Sequence, residues 1–157
     1  MPHRRIRLAA ATGPLAAAVL GGISVDTGSR WFRGLDLPAW YPPPQTFGIV
    51  WSALYTGTAW AGGVVLTRDP AGRRAFVPAY AVNLALNAAW TPLFFRAHRP
   101  WLAAAESAVL TVSTVDLVRR AAPVSGRAAV ALAPYAVWTA FATLLSAAIA
   151  RRNPRRR

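Results

Sequence analysis

Phe47, Trp51 and Tyr55 recur every fourth residue, Asn83 and Asn87 stand four apart, and Trp90 and Trp138 sit inside runs that carry no charge. At 100° per residue each of these sets falls on one face of a helix. Rings on such a face are candidate interior residues, able to line a bound ligand, each aromatic pair contributing ~0.5–1.5 kcal/mol beyond simple burial. A carboxamide among them can orient one polar atom of such a molecule or bond a neighbouring helix for about 1 kcal/mol or less; both roles are open at Asn83 and Asn87. Conventional catalysis finds no support, because no nucleophile and base or acid and base pair stands out. The chain has no cysteine and only two histidines, His3 and His98, which excludes disulfides, thiolates and iron–sulfur clusters and leaves no axial haem ligand inside a helix. No metal site is expected.

The elements that must position these residues follow from charge and hydropathy. The chain has 157 residues, 55% of them hydrophobic, and its 18 cations are all arginines against five acids. Such a basic balance first suggests nucleic acid, but a nucleic-acid binder gathers its cations on one surface. Here they punctuate long uncharged runs, so no nucleic-acid partner is expected. A bilayer-spanning helix needs about 20 mostly apolar residues, and helices are predicted over about 8–25, 46–67, 75–95, 101–118 and 128–150. The runs lack the period-two alternation of a membrane barrel. The expected fold class is therefore an all-α membrane protein, a five-transmembrane-helix bundle forming one domain over residues 1–157. The basic start and alanine-rich run after it also fit a signal peptide; the run's length and its Gly13-Pro14 pair favour a retained helix.

The connector 26–45 is the longest. It opens polar and then turns aromatic and proline-rich, with Trp31, Phe32, Trp40 and Tyr41 ahead of Pro42, Pro43 and Pro44, whose fixed φ and missing N–H keep the chain extended until a helix starts near Thr46. Composition leaves two readings, a headgroup-level aromatic belt and a lid over a ligand. Trp60 points away from the Phe47, Trp51 and Tyr55 face and Trp101 fits a belt. Glu106, an acid inside a run, is a functional candidate by default, though its nearness to Trp101 reads as a hydrated, snorkelling carboxylate. Asp116 is expected to pair with Arg119 at a helix end. Each membrane side collects nine arginines, so the positive-inside rule does not choose an orientation.

Three blocks carry a resemblance that covers Gly21 to Asn153. Trp31, Leu35, Pro38, Trp40, Pro42, Pro43, Phe47, Trp51, Leu54 and Tyr55 follow one spacing; Leu84, Leu86, Asn87, Trp90, Pro92, Phe94 and Phe95 a second; Pro134, Tyr135, Trp138, Phe141, Ala142 and Leu145 a third. In this the sequence resembles the tryptophan-rich sensory protein/translocator protein (TspO/MBR) family. The resemblance implies a five-helix bundle, commonly a homodimer, with a pocket closed by the first connector. It implies binding of porphyrins such as protoporphyrin IX and of benzodiazepine-type ligands, and, in some bacterial members, light-dependent porphyrin degradation in which the residues matching Trp51 and Trp138 take part. The ligand-binding candidates are then Phe32, Trp40, Pro42, Phe47, Trp51, Tyr55, Asn83, Asn87, Trp90, Thr91, Trp138, Phe141 and Ala142, with Arg30 and Arg33 to pair with propionates. No cofactor is required, the ligand is expected metal-free, and the setting is expected to be a bacterial cell membrane. The sequence departs from the family at Leu37, usually lysine, at Asn83, usually glutamine, and at Ser146, usually asparagine. The proposed cholesterol motif after Tyr135 is missing, and Pro78 and Val82 interrupt the small-residue face on which members dimerise, leaving Ala81 and Ala85 as an alternative. A transporter, coupled through Glu106, and a ligand-gated sensor remain as other functional classes.

Overall fold

The computed structural model describes residues 2–154. Its helices are α1 (Pro2–Ser24), α2 (Arg30–Arg33), α3 (Pro44–Arg68), α4 (Arg73–Phe95), α5 (Pro100–Ala121) and α6 (Gly126–Arg152); no strand occurs among the described residues. The boundaries differ from the sequence expectation where local chemistry outweighs hydropathy. Arginine is a good helix former, so α1 runs back through Arg7, Arg5 and Arg4. Proline is accepted at the first helical position, where its missing N–H has no intrahelical partner anyway, so α3 starts at Pro44 and α5 at Pro100. Side-chain caps mark two other starts: Ser29 Oγ accepts the Phe32 N–H at 3.2 Å and Ser125 Oγ accepts the Ala128 N–H at 3.4 Å. The first of these folds part of the connector into the helical turn α2.

The five long helices close a ring in the order α1, α4, α5, α6, α3, with α3 returning to α1. Helices α1, α3, α5 and α6 are each long and apolar enough to cross a membrane. The 23-residue α4 is not among these four; it holds Pro78, Tyr80, Asn83, Asn87, Trp90 and Pro92. Three of those groups find partners inside the ring. Tyr80 Oη lies 3.1 Å from the carbonyls of Ala10 and Thr58, reaching α1 and α3. Asn83 Nδ2 donates to Thr114 Oγ1 at 3.0 Å and Ser113 Oγ at 3.2 Å on α5. Asn87 bonds two tyrosines, described below. The chain is thus an all-α membrane protein in which α4 turns its amides inward.

Close approach at one end depends on glycine. A Cβ on Gly62 would lie 2.9 Å from the Tyr80 ring, tighter than side chains tolerate, so glycine lets α3 meet α4 there. Around it a core of Ala10, Ala61, Val65, Phe76, Leu117 and Leu132 is fully buried. At the other end Leu35 of the connector packs on Phe94, Phe95, Leu145 and Ile149, with Trp31, Phe32, Leu37 and Tyr41 around it. Leu37, where the family pattern has lysine, contributes apolar surface to this cluster.

Candidate functional site

Beneath that connector the ring encloses a cavity of about 440 Å³, within the range of small-molecule pockets. Every long helix contributes wall: Gly21 and Gly22 from α1; Phe47, Trp51 and Tyr55 from α3; Asn87, Trp90, Thr91 and Phe94 from α4; Ser107 and Leu110 from α5; Trp138, Thr139, Ala142 and Ser146 from α6. Tyr41 of the connector closes the top. Burial raises the Tyr41 phenol above its ordinary range, so it stays neutral at physiological pH.

The rings support one another from behind. Trp51 stacks on Tyr55 at 5.4 Å and meets Tyr135 edge to face at 6.1 Å. Phe47 meets Trp138 edge to face at 5.9 Å. Trp90 lies nearly parallel to Phe94, with centroids 5.2 Å apart. Such contacts fix ring planes.

One amide joins three helices at the cavity floor. Asn87 Oδ1 accepts the Tyr55 hydroxyl at 2.7 Å, and Asn87 Nδ2 donates to Tyr135 Oη at 2.9 Å. A carboxamide has a second lone pair and a second N–H, so Asn87 keeps capacity for a guest while tying α3, α4 and α6 together.

Of the residues singled out in the sequence, Phe47, Trp51, Tyr55, Asn87, Trp90, Thr91, Trp138 and Ala142 come together on this cavity. The others stand elsewhere. Asn83 is fully buried but faces Ser113 and Thr114, making it interhelical glue. Phe32 is directed by the α2 turn onto Tyr41, Phe94 and Phe95, behind the wall. Trp40 is half exposed and packs against Phe141, which in turn backs Trp138; neither lines the cavity, nor does Pro42. Arg30 and Arg33 are exposed on α2, outside the cavity. Trp31 is sandwiched against the His98 imidazole at 4.3 Å and the edge of Phe94. His98 has φ 54°, the left-handed region that histidine enters more readily than most residues, and there the chain turns from α4 into α5.

Two charge expectations are corrected. Asp116 pairs with Arg120 at 2.6 Å rather than with Arg119, since an acid four residues before its base is the favoured helical arrangement. Glu106 does not snorkel to the surface: both its carboxylate oxygens are buried without a partner among the described residues. It lies seven residues before Ser113, nearly two turns, so it is on the α5 face that meets α4. Trp90, seven residues after Asn83, reaches the same level of that seam, and its indole N–H is also buried and unpartnered. The sequence reading missed Tyr41, Tyr135 and Ser107 as site residues, and took Gly21-Gly22 only as a close-approach pair. Tyr135, three residues before Trp138, was the most accessible of these from spacing alone.

The connector is fastened to the end of α6. Asn153 Oδ1 accepts the Asp36 N–H at 2.9 Å, and its Nδ2 donates to the Asp36 carbonyl at 3.0 Å and the Ile149 carbonyl at 2.9 Å. Arg152 adds an exposed ion pair to the Asp36 carboxylate at 3.3 Å.

The family model for TspO/MBR matches residues 10–152. The chain is 38% identical over 137 residues to the translocator protein of Sus scrofa, covering 83% of this chain and 79% of that one. It is 35% identical over 130 residues to the translocator protein of Homo sapiens, covering 80% and 76%. A tryptophan-rich sensory protein of Cereibacter sphaeroides is 30% identical over 124 residues, covering 79% and 77%. With an all-helical membrane fold, an aromatic cavity under a fastened connector, and matches across most of its length, the chain belongs to the TspO/MBR family.

Proposed function

We propose that this protein binds a flat, apolar, polyaromatic small molecule of the protoporphyrin IX class within the bilayer, enclosed by five membrane-spanning helices. The observation that carries this reading is the cavity of about 440 Å³ walled by Phe47, Trp51, Trp90 and Trp138, with Asn87 on its floor. Aromatic walls with a few convergent polar groups are the usual make-up of a small-molecule site. Helix α4 is the fifth span in this reading: it is 23 residues long, about 34 Å, and its Asn83 and Asn87 side-chain N–H groups bond neighbouring helices rather than facing lipid.

The lining contains no histidine, cysteine or methionine, so burial and stacking carry the affinity and a metal-free ring is preferred over haem. The ligand's carboxylates meet Arg30 or Arg33 only where they emerge past the connector. The setting we assign is a bacterial cell membrane.

Titration of detergent-purified protein with protoporphyrin IX and with haem, followed by tryptophan quenching, tests the reading. Trp51→Phe and Trp138→Phe should each weaken binding several-fold; tighter binding of haem that depends on His98 would overturn it. Illumination tests the added proposal that Trp51 and Trp138 take part in ligand breakdown. The porphyrin's main absorption band should then fade faster with wild type than with either variant; equal rates would leave a binding protein alone.

A further inference from the structure

Most buried hydroxyls around the inner cavity are spent on the protein itself. Tyr55 and Tyr135 bond Asn87, Thr139 Oγ1 donates to the Tyr135 carbonyl at 3.1 Å, and Ser107 Oγ donates to the Thr139 carbonyl at 3.3 Å. A serine or threonine inside a helix commonly turns to the carbonyl one turn back, as Thr143 of α6 does, 2.9 Å from the Thr139 carbonyl. Ser146 does not. It is 1% exposed and lines the cavity, and no protein group among the described residues bonds its hydroxyl. Thr91 is the other buried lining hydroxyl without such a bond, and it faces α1, where a Cβ on Gly21 would stand 3.5 Å from its Oγ1.

The place of Ser146 along α6 decides what it can meet. It is 11 residues beyond Tyr135, about 16 Å along the helix, so the floor amide and this hydroxyl stand toward opposite ends of the cavity. Leu145 and Ile149, on either side of it, pack with Leu35 of the connector, and Asn153, two turns further on, fastens that connector through Asp36. A free donor therefore stands directly beneath the cover. A charged group of a guest loses most of its hydration deep in the bundle; close to the membrane surface it loses less, and a hydrogen bond to it there is of the strong, charge-assisted kind.

This inference rests on the reading of the cavity as the site of a flat aromatic guest. We propose that Ser146 is a specificity-determining residue of that site: its hydroxyl donates to a carboxylate on the guest edge facing the connector, so the protein selects acidic tetrapyrroles over rings of the same plan that carry only alkyl groups. Arg30 and Arg33, exposed on α2 outside the cavity, act on the same carboxylate across solvent and are screened by salt. An enclosed hydroxyl is not.

Tryptophan quenching of the purified full chain by protoporphyrin IX and by octaethylporphyrin, a similar ring without oxygen, tests this in about 1 M salt, where exposed charges are screened beyond ~3 Å. The quantity read is the ratio of the two affinities, because a change in cavity shape or fold moves both guests together. Ser146→Ala should lower the preference for protoporphyrin IX roughly tenfold, the effect of one hydrogen bond to a charged group, and leave octaethylporphyrin binding as in wild type. Ser146→Asn keeps a donor and should hold the wild-type ratio while its bulk weakens both guests. Binding of both porphyrins with a ratio that Ser146→Ala does not change would overturn the assignment of Ser146 alone. Failure of wild type to bind either porphyrin would overturn the reading of the cavity with it.

Discussion

The two ends of this bundle are filled on opposite plans. Near the start of α1 the interior is mostly small and aliphatic, with Phe76 and Tyr80 among it: Ala10, Ala61, Leu117, Ala121, Ala128 and Leu132 are at most 4% exposed. Near the connector the residues are among the largest available, yet they surround a void. Small side chains let helix axes approach until backbones nearly touch. Large rings set edge to face, as in Phe47 with Trp138 and Trp51 with Tyr135, prop the helices apart, and Gly21, Gly22, Ala142 and Ser146 leave the resulting gap open. A cavity is therefore made by bulk at its rim and smallness at its centre.

Placing the same enlargement at each end gives the sharpest test. Ala61→Phe inserts a ring where nothing can move, and overpacking of about 1–3 kcal/mol or more should be seen as loss of folded, monodisperse protein or a steep fall in thermal midpoint. Ala142→Phe should fold as wild type does and instead weaken porphyrin binding about a hundredfold, ~2.7 kcal/mol. If both variants unfold, or both bind normally, the two ends do not differ as described.

The next effect concerns the amide at the boundary between the ends. Asn87→Leu leaves the Tyr55 and Tyr135 hydroxyls without partners, and an unsatisfied buried polar group costs about 1–3 kcal/mol. Thermal unfolding should show a loss of that order, and adding Tyr55→Phe and Tyr135→Phe should recover most of it. Failure of the phenylalanines to restore stability would mean that Asn87 acts by shape and not by hydrogen bonding. The equivalent replacement at Asn83, whose partners are short hydroxyls that can turn to backbone carbonyls, should cost less and leave ligand affinity alone.

That contrast also marks how far the sequence could be read. Long uncharged runs locate five helices because lipid demands them, but they say nothing about where charged turns join in, as at Arg4 to Arg7. Asn83 and Asn87 share a stripe and a residue type; only the facing helices separate glue from cavity floor, and no single-chain pattern encodes which helix faces which. Phe32, Trp40 and Phe141 were legible as site aromatics, yet none lines the cavity; Phe32 is turned away by α2, which depends on the Ser29 cap, and Trp40 packs on Phe141, which backs Trp138. The glycines of α1 had the opposite fate, since an absent side chain becomes a feature only once the surrounding rings are placed.

Glu106 sharpens the comparison further. Its carboxyl lies at the hollow end, buried without a partner among the described residues, as the Trp90 N–H is, so loose packing tolerates what a filled core would reject. Glu106→Leu should raise the thermal midpoint by an amount equivalent to about 1 kcal/mol, because removing an unpaired buried polar group relieves its desolvation. A fall in stability would show that the carboxyl does bond within the protein in solution. Unchanged porphyrin flux across liposomes after Glu106→Gln would separately count against proton-coupled transport.

The smallest expected effect isolates the cover that only the hollow end possesses. Asn153 holds the connector through the backbone N–H and carbonyl of Asp36, two bonds of about 0.5–1.5 kcal/mol each, whereas the Arg152 pair with the Asp36 carboxylate is exposed on both sides and contributes little. Asn153→Ala should therefore speed porphyrin dissociation by roughly three- to tenfold, with little change in the thermal midpoint, since the packed end still holds the helices together. Asp36→Ala keeps both backbone bonds and removes only the ion pair, so its dissociation rate should match wild type in stopped-flow displacement. The reverse order, a fast Asp36→Ala and a slow Asn153→Ala, would mean that charge fastens the cover, and raising the salt concentration would then accelerate release from wild type as well.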